Sequence, residues 1–313
     1  MNGLELSKAF YEEYGRPMLE QQFSAMLPYL ACGLFGSGSE CLGYDDDISQ
    51  DHDYEPGFCI FLPEEETVNR RDAFLLERAY AKLPRSYHGF NRLILLPVGG
   101  NRHGVLRTAD FFQRTVGTPD GSMSLEQWLS VPEQSLLEAT NGILFFDNYG
   151  AVSGIRKKLI YFPEDVRLKR LAGHLLLMAQ SGQYNYRRCL AHGETAAAQY
   201  AVVEFVRSAV SAVFLLNKRY QPYYKWCFRA MRELPLLSEY TEPFEVLLTT
   251  GNSAEESSRK SALIEAFSTA LISALREQNL TSVPTPDLER HAYAVNDGIR
   301  DASLRNMNIL AAV

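Results

Sequence analysis

The sequence predicts an α+β protein in two parts: an N-terminal half in which short strands form a mixed sheet with flanking helices, followed by an all-α helical bundle. Three observations point there. The chain's 313 residues exceed what one hydrophobic core usually serves. Apolar runs of strand length, punctuated by Gly, Pro and Asn, fall before residue 150. From Pro163 onward long stretches of helical periodicity follow without a strand signal, so the expected domains are residues 1–155 and 156–313.

Taken in order, residues 4–27 read as an amphipathic helix, with Leu4, Phe10, Tyr14, Leu19, Phe23 and Met26 at roughly helical spacing and Pro28 as its stop. Residues 29–35 are short, apolar and bounded by Pro28 and Gly36, which favours a buried strand. A Gly/Ser turn occupies residues 36–43, and residues 51–62 read as a second strand with a bulge or edge position at Pro56-Gly57. Residues 72–83 are a helix, residues 91–98 and 103–107 are strands, and residues 143–149 are a short apolar run ending in a turn. In the second half, helices are expected over residues 166–180, 194–217, 224–232, 244–249 and 257–278, with a weak helical signal after Pro284.

Composition narrows the function classes. The uncharged run over residues 21–39 is broken by Gln, Ser, Pro and Gly and so is not a continuous apolar span, and Glu5, Glu12 and Glu13 stand where a signal peptide would be basic and then apolar; the expectation is a cytoplasmic protein. Five cysteines without a CxxC pair argue for reduced thiols. Residues 1–150 hold 11 Lys and Arg against 22 Asp and Glu, while residues 151–313 hold 20 against 16. An acidic half suits a divalent cation and a mildly basic one suits phosphate or an acidic partner. The overall acidity argues against binding extended duplex DNA, which needs many clustered basic residues.

The chemistry is concentrated in Gly36-Ser37-Gly38-Ser39-Glu40, followed by Asp45-Asp46-Asp47 and Asp51-His52-Asp53. The aspartates put five acids in nine positions. Side chains alternate across a strand, so Asp51 and Asp53 would share a face and could share one or two divalent ions. Mg²⁺, or Mn²⁺ in its place, takes oxygen ligands and is usually completed by substrate phosphates, which makes a nucleoside triphosphate, ATP before the others, the expected third party. Gly36, Ser37 and Ser39 would cradle its phosphates. An EF-hand is excluded because no register of the acids gives glycine at its sixth position and glutamate at its twelfth.

Gly36-Ser37, thirteen residues, then Asp51-His52-Asp53 resembles the Gly-Ser and Asp-x-Asp signature of the polymerase-beta-type nucleotidyltransferase superfamily. More closely, residues 36–62, Gly182-Gln183-Tyr184-Asn185-Tyr186 and residues 217–226 resemble an uncharacterised bacterial family that pairs such a domain with a helical domain of unknown function. The resemblance implies a nucleotidyltransferase fold, Asp51 and Asp53 as catalytic metal ligands, and a third carboxylate from a later strand. Residues 103–107 supply none, leaving Asp110 and Asp147 as fallbacks, and Glu204 as a general base of the kind used by the aminoglycoside nucleotidyltransferases that this architecture resembles.

In the helical half, Tyr184, Tyr186, Arg187, Lys218, Tyr223 and Lys225 gather aromatic and basic groups that could meet nucleotide or acceptor, or else fill the core while their charges reach outward. Arg187 and His192 match a nuclease spacing, but Gly193 suggests that the helix has ended there. The leading expectation is Mg²⁺-dependent transfer of a nucleoside monophosphate from an NTP to a hydroxyl or amine of an unidentified acceptor, small molecule, protein or RNA end, held by the helical half. The alternative is a catalytically inactive nucleotide-binding or antitoxin-like protein.

Overall fold

The computed structural model describes residues 1–48, 54–92 and 103–313 of this mixed α+β chain, which divides into two compact units. Unit 1 comprises Met1–Met123 and Val131–Ile160; unit 2 comprises Ser124–Ser130 and Tyr161–Val313.

Unit 1 opens with α1, Gly3–Phe10, started by a capping box in which Asn2 and Glu5 each accept from the other's backbone N–H. A π turn, Tyr11–Gly15, carries it into α2, Arg16–Gln22, so the helix ends about a turn earlier than its apolar spacing predicts. Strand β1, Ala31–Leu34, leads to the one-turn α3, Ser39–Leu42. Strand β2 is only Cys59–Leu62, not the longer strand expected from residue 51, and Tyr54–Phe58 enter it as irregular chain. Pro56 and Gly57 are poor ladder members, which accounts for the late start.

Helix α4, Arg70–Ala81, is followed by the hairpin β3, Ser86–Tyr87, and β4, Phe90–Asn91, and then by β5, Gly104–Arg107. Helices α5, Thr108–Val116, and α7, Glu133–Thr140, flank α6, Leu125–Ser130, which belongs to unit 2. Strand β6, Ile143–Asp147, and α8, Ala151–Lys158, complete unit 1.

The sheet order is β5-β2-β1-β6, with β1 antiparallel to both neighbours and β2 parallel to β5. Cys32 pairs with Ile60, and both side chains join Phe10, Leu19, Phe58 and Leu76 in the core under α1, α2 and α4. Phe61 points the other way, where Phe35 stacks on it at 4.7 Å and Phe111 of α5 meets it edge-on at 5.4 Å. Both faces are thus covered, which is why residues 58–62 are continuously apolar instead of alternating.

In unit 2, α9, Glu164–Met178, runs through a π stretch, Ala179–Asn185, into α10, Tyr186–Ala191. The remaining helices are α11, Thr195–Leu216; α12, Tyr224–Met231; α13, Thr241–Thr249; α14, Ala254–Glu277; α15, Leu288–Asp297; and α16, Ala302–Asn306. Among the described residues α11 alone is long and apolar enough to cross a membrane, yet most of its apolar residues lie in the bundle core.

That core contains cations. Lys260 Nζ donates to Gln199 Oε1 at 2.6 Å and to the Thr250 carbonyl at 2.7 Å; Lys169 Nζ donates to Asn296 Oδ1 at 3.0 Å and to the Met307 carbonyl at 2.7 Å. Such acceptors offset the cost of burying an ammonium group, and burial holds both lysines below the usual lysine pKa.

Candidate functional site

The site is built on the end of β1. There Gly36 leaves the sheet with φ +127°, a conformation that L side chains rarely adopt. Its N–H donates to Asn141 Oδ1 at 2.9 Å, and its carbonyl accepts from Asn141 Nδ2 at 2.8 Å, so one amide side chain clamps the turn from both sides. Asn141 is held in its turn by Arg156, whose Nη2 donates to the carbonyls of Thr140 at 2.5 Å and Asn141 at 2.6 Å while its guanidinium lies 4.6 Å from the Phe35 ring. Ser37, beyond the clamp, is exposed, and Ser39 opens the four-residue α3.

Gly36 and Ser37 line a cleft of about 240 Å³ together with Cys41, His103, Arg114 and Glu138. Gly33 pairs with Cys59, so β2 begins at the end of the sheet where the Gly36-Ser37 turn leaves β1. The chain that enters β2 there is the one that carries Asp51-His52-Asp53 in the sequence. Asp51 and Asp53 themselves lie outside the described residues. Among the described residues no three His, Cys, Asp or Glu side chains converge as a metal site, and the cleft's carboxylate is Glu138.

Of the two fallback carboxylates, the register corrects one. Asp147 pairs with Ala31, at the opposite end of β1 from Gly36, and its two oxygens accept from the N–H groups of Gly150 at 2.9 Å and Ser153 at 2.6 Å. It caps α8. Asp110 lies in the first turn of α5 and is exposed; Phe111 and Arg114 of that helix line the cleft, and Asp110 is not among its lining residues. Of the upstream acids, Asp45 caps α1, its Oδ2 accepting from the Gly3 N–H at 2.7 Å. Glu204, expected as a general base, belongs to unit 2, where its Oε2 is ion-paired to Arg207 at 3.0 Å.

The aromatic and basic residues of unit 2 do not form one patch. Tyr186 is wholly buried, its hydroxyl 3.0 Å from Asn252 Oδ1, so its ring has no face left for a ligand. Tyr184 is exposed and accepts from Arg188 Nη1 at 3.0 Å, and Arg187 lies 3.4 Å from Glu265. Tyr184 also borders a cleft of about 520 Å³ whose charged lining, Glu265, Asp287 and Glu289, is acidic. Lys218 is 3.9 Å from Glu164, at the start of α9. Residue 184 is some twenty residues further along that rod, roughly 30 Å at 1.5 Å per residue. Tyr223 packs on Tyr224 and Lys225 lies over Trp226, close to Lys218 in sequence and away from Tyr184. His192 is the cap after α10 and not a helical partner of Arg187.

Sequence reasoning missed two features here. One is the Asn141 clamp, whose signal would have been an Asn-Gly pair just before a strand. The other is His103, whose Nδ1 is 2.8 Å from Glu55 Oε1, with side chains 7% and 15% exposed.

A family profile described as Domain of unknown function (DUF4037) matches residues 128–227. That stretch is less than half of the chain and takes in parts of both units. Among solved structures, a nucleotidyltransferase-like protein from Exiguobacterium sibiricum 255-15 is similar at 11% identity and a TM-score of 0.38, over 93% of this chain and 81% of that one. Among proteins of curated function, none matches.

Proposed function

We propose that unit 1 binds an NTP with Mg²⁺ and transfers its nucleoside monophosphate to a hydroxyl or amine, releasing pyrophosphate. The observation that carries this reading is the clamped Gly36-Ser37 turn, which opens into a cleft at the end of the sheet where β2 begins. Asp51 and Asp53 precede β2 in the chain and would hold the cation. Bound Mg²⁺ would neutralise the phosphates and steady the leaving pyrophosphate. The chain's own part is positioning: Ser37 stands exposed at the rim of the turn, and Arg114, which makes no ion pair among the described residues, offers a guanidinium to phosphate.

A second reading, nucleotide binding without turnover, is favoured by the placement of Asp147 at the opposite end of β1 from Gly36 and by Glu138 as the carboxylate among the described residues that line the cleft. The experiment that separates the two is pyrophosphate release from each of the four NTPs with Mg²⁺, by purified protein with and without cell extract as a source of acceptor. Release that disappears in the Asp51→Ala/Asp53→Ala variant supports transfer. Saturable NTP binding with no release in any mixture supports the binding reading.

A further inference from the structure

His103 stands in the wall of the cleft beside Gly36 and Ser37. Several contacts fix it there. Gly104 at the next position donates its N–H to the Phe58 carbonyl at 3.0 Å, pinning the start of β5 to the entry of β2. Tyr80 holds the same residue, donating to the Phe58 carbonyl at 2.8 Å and accepting from the Phe58 N–H at 3.1 Å. The imidazole ring is pressed so closely on Gly57 that a Cβ there would come within 2.8 Å of its Cγ and Nδ1. Only glycine leaves that space.

Nδ1 lies 2.8 Å from Glu55 Oε1, and Nε2 is buried with no hydrogen-bond partner among the described residues. A carboxylate only accepts, so Nδ1 is the nitrogen that donates to Glu55, and whenever the ring carries a single proton the lone pair is on Nε2. An unpartnered buried acceptor in a cleft wall costs free energy unless a ligand completes it. A base held by a second group, with its free nitrogen turned over to substrate, is the general arrangement for activating a nucleophile.

We propose that His103, oriented by Glu55, is the general base of this cleft; the proposal rests on the transfer reading above and replaces Glu204 in that role. In the step, the acceptor O–H or N–H gives its proton to Nε2 of His103. The acceptor lone pair forms the new bond to the α-phosphorus, and the bond from that phosphorus to the α–β bridging oxygen breaks. Its electrons leave with pyrophosphate. Glu55 acts as a positioning residue, keeping the proton on Nδ1.

The test uses the full-length protein in the extract assay that supports wild-type pyrophosphate release, with ATP·Mg²⁺ affinity measured in parallel. His103→Ala and His103→Gln should lower the rate at saturating ATP by about 10²-fold or more, with ATP affinity within two-fold of wild type. Added imidazole should restore a measurable part of the His103→Ala rate and none of the His103→Gln rate, since only the first leaves a void of the ring's shape. Glu55→Gln should give a smaller loss. In the metal-free protein, ¹⁵N spectra of the His103 ring should show the Nδ1–H tautomer with Nε2 bare. Unchanged release in both His103 variants, or a ring protonated on Nε2 at the assay pH, overturns the base role and leaves the transfer reading standing. Wild-type protein that binds ATP·Mg²⁺ yet releases no pyrophosphate overturns both. Variants that lose ATP affinity along with the rate show a merely structural role for His103 and also overturn it.

Discussion

A single amide carries the geometry of the Gly36 turn. Gly36 is buried, and replacing Asn141 by alanine leaves its N–H and carbonyl without their partner. Each such group costs about 1–3 kcal/mol when unsatisfied. Asn141→Ala should therefore weaken ATP·Mg²⁺ binding about tenfold or more in a calorimetric titration and lower the melting temperature. A lowered melt with unchanged affinity would show that the turn is not part of the ligand wall. A second single-residue effect sits in unit 2. Part of His174 reaches the surface, but its Nδ1 is buried without a partner among the described residues. Burial, reinforced by Arg170 and Arg207, pushes its pKa from the usual 6.5 down to about 3. Above pH 6.5 the ring is neutral in folded and unfolded chains alike and adds no pH dependence. As pH falls from 6.5 towards 3 the unfolded chain takes up the proton first, so stability drops by about 1.4 kcal/mol per pH unit. Urea unfolding between pH 4.5 and 6.5 should accordingly show a shallower loss for His174→Gln than for wild type; parallel slopes would mean that the ring is not held neutral. What was legible at this scale was local. Gly36-Ser37 could be read because a strand, a glycine and a serine are consecutive. The Glu55–His103 pair spans 48 positions and the Gly36–Asn141 clamp 105, and no periodicity links residues so far apart.

Among elements, periodicity located the long helices to within a few residues: α11 was expected over residues 194–217 and is Thr195–Leu216, and α14 was expected over residues 257–278 and is Ala254–Glu277. It missed α5, α7 and α8, none longer than nine residues, too short for a repeat of 3.6 to declare itself. The burial of Tyr186 against the exposure of Tyr184 was equally illegible. Both are tyrosines two positions apart, and the intervening π turn decides which one enters the core. That turn has a packing reason. Gly182 lies directly against the Phe205 ring of α11, so closely that any Cβ would strike it. Gly182→Ala should thus destabilise the protein by about 1–3 kcal/mol, the usual cost of overpacking. Gly154 in α8 has open space where a Cβ would go, and Gly154→Ala should gain up to about 1 kcal/mol from helix propensity alone. Opposite shifts of the two urea midpoints are the expected result; a neutral Gly182→Ala would mean that α9 and α11 separate without penalty.

Across the whole chain, sequence order and spatial membership part company at α6. The sequence places residues 125–130 well inside the strand-containing half, yet the chain passes into unit 2 at Ser124, returns to unit 1 at Val131 and leaves it for good after Ile160. The reason is physical and non-local. Trp128 is 5% exposed and meets Phe162 edge-on, while the carbonyls of Trp128 and Leu129 accept from Arg170 Nη2 at 3.4 and 3.0 Å. Arg170 is itself nearly buried on α9, so α6 supplies acceptors that a core cation needs, as well as a ring. A short helix with one tryptophan says in sequence only that something apolar will cover it, not which core will. Trp128→Ala should therefore act on unit 2: about 3–5 kcal/mol for the lost ring, with faster hydrogen exchange in α9 and α15. The Gly36 turn is clamped entirely from within unit 1, so ATP·Mg²⁺ affinity should hold within two-fold under conditions where the variant remains folded. Loss of protection concentrated in β1 and β2, with α9 unchanged, would refute the assignment of α6 to the helical core.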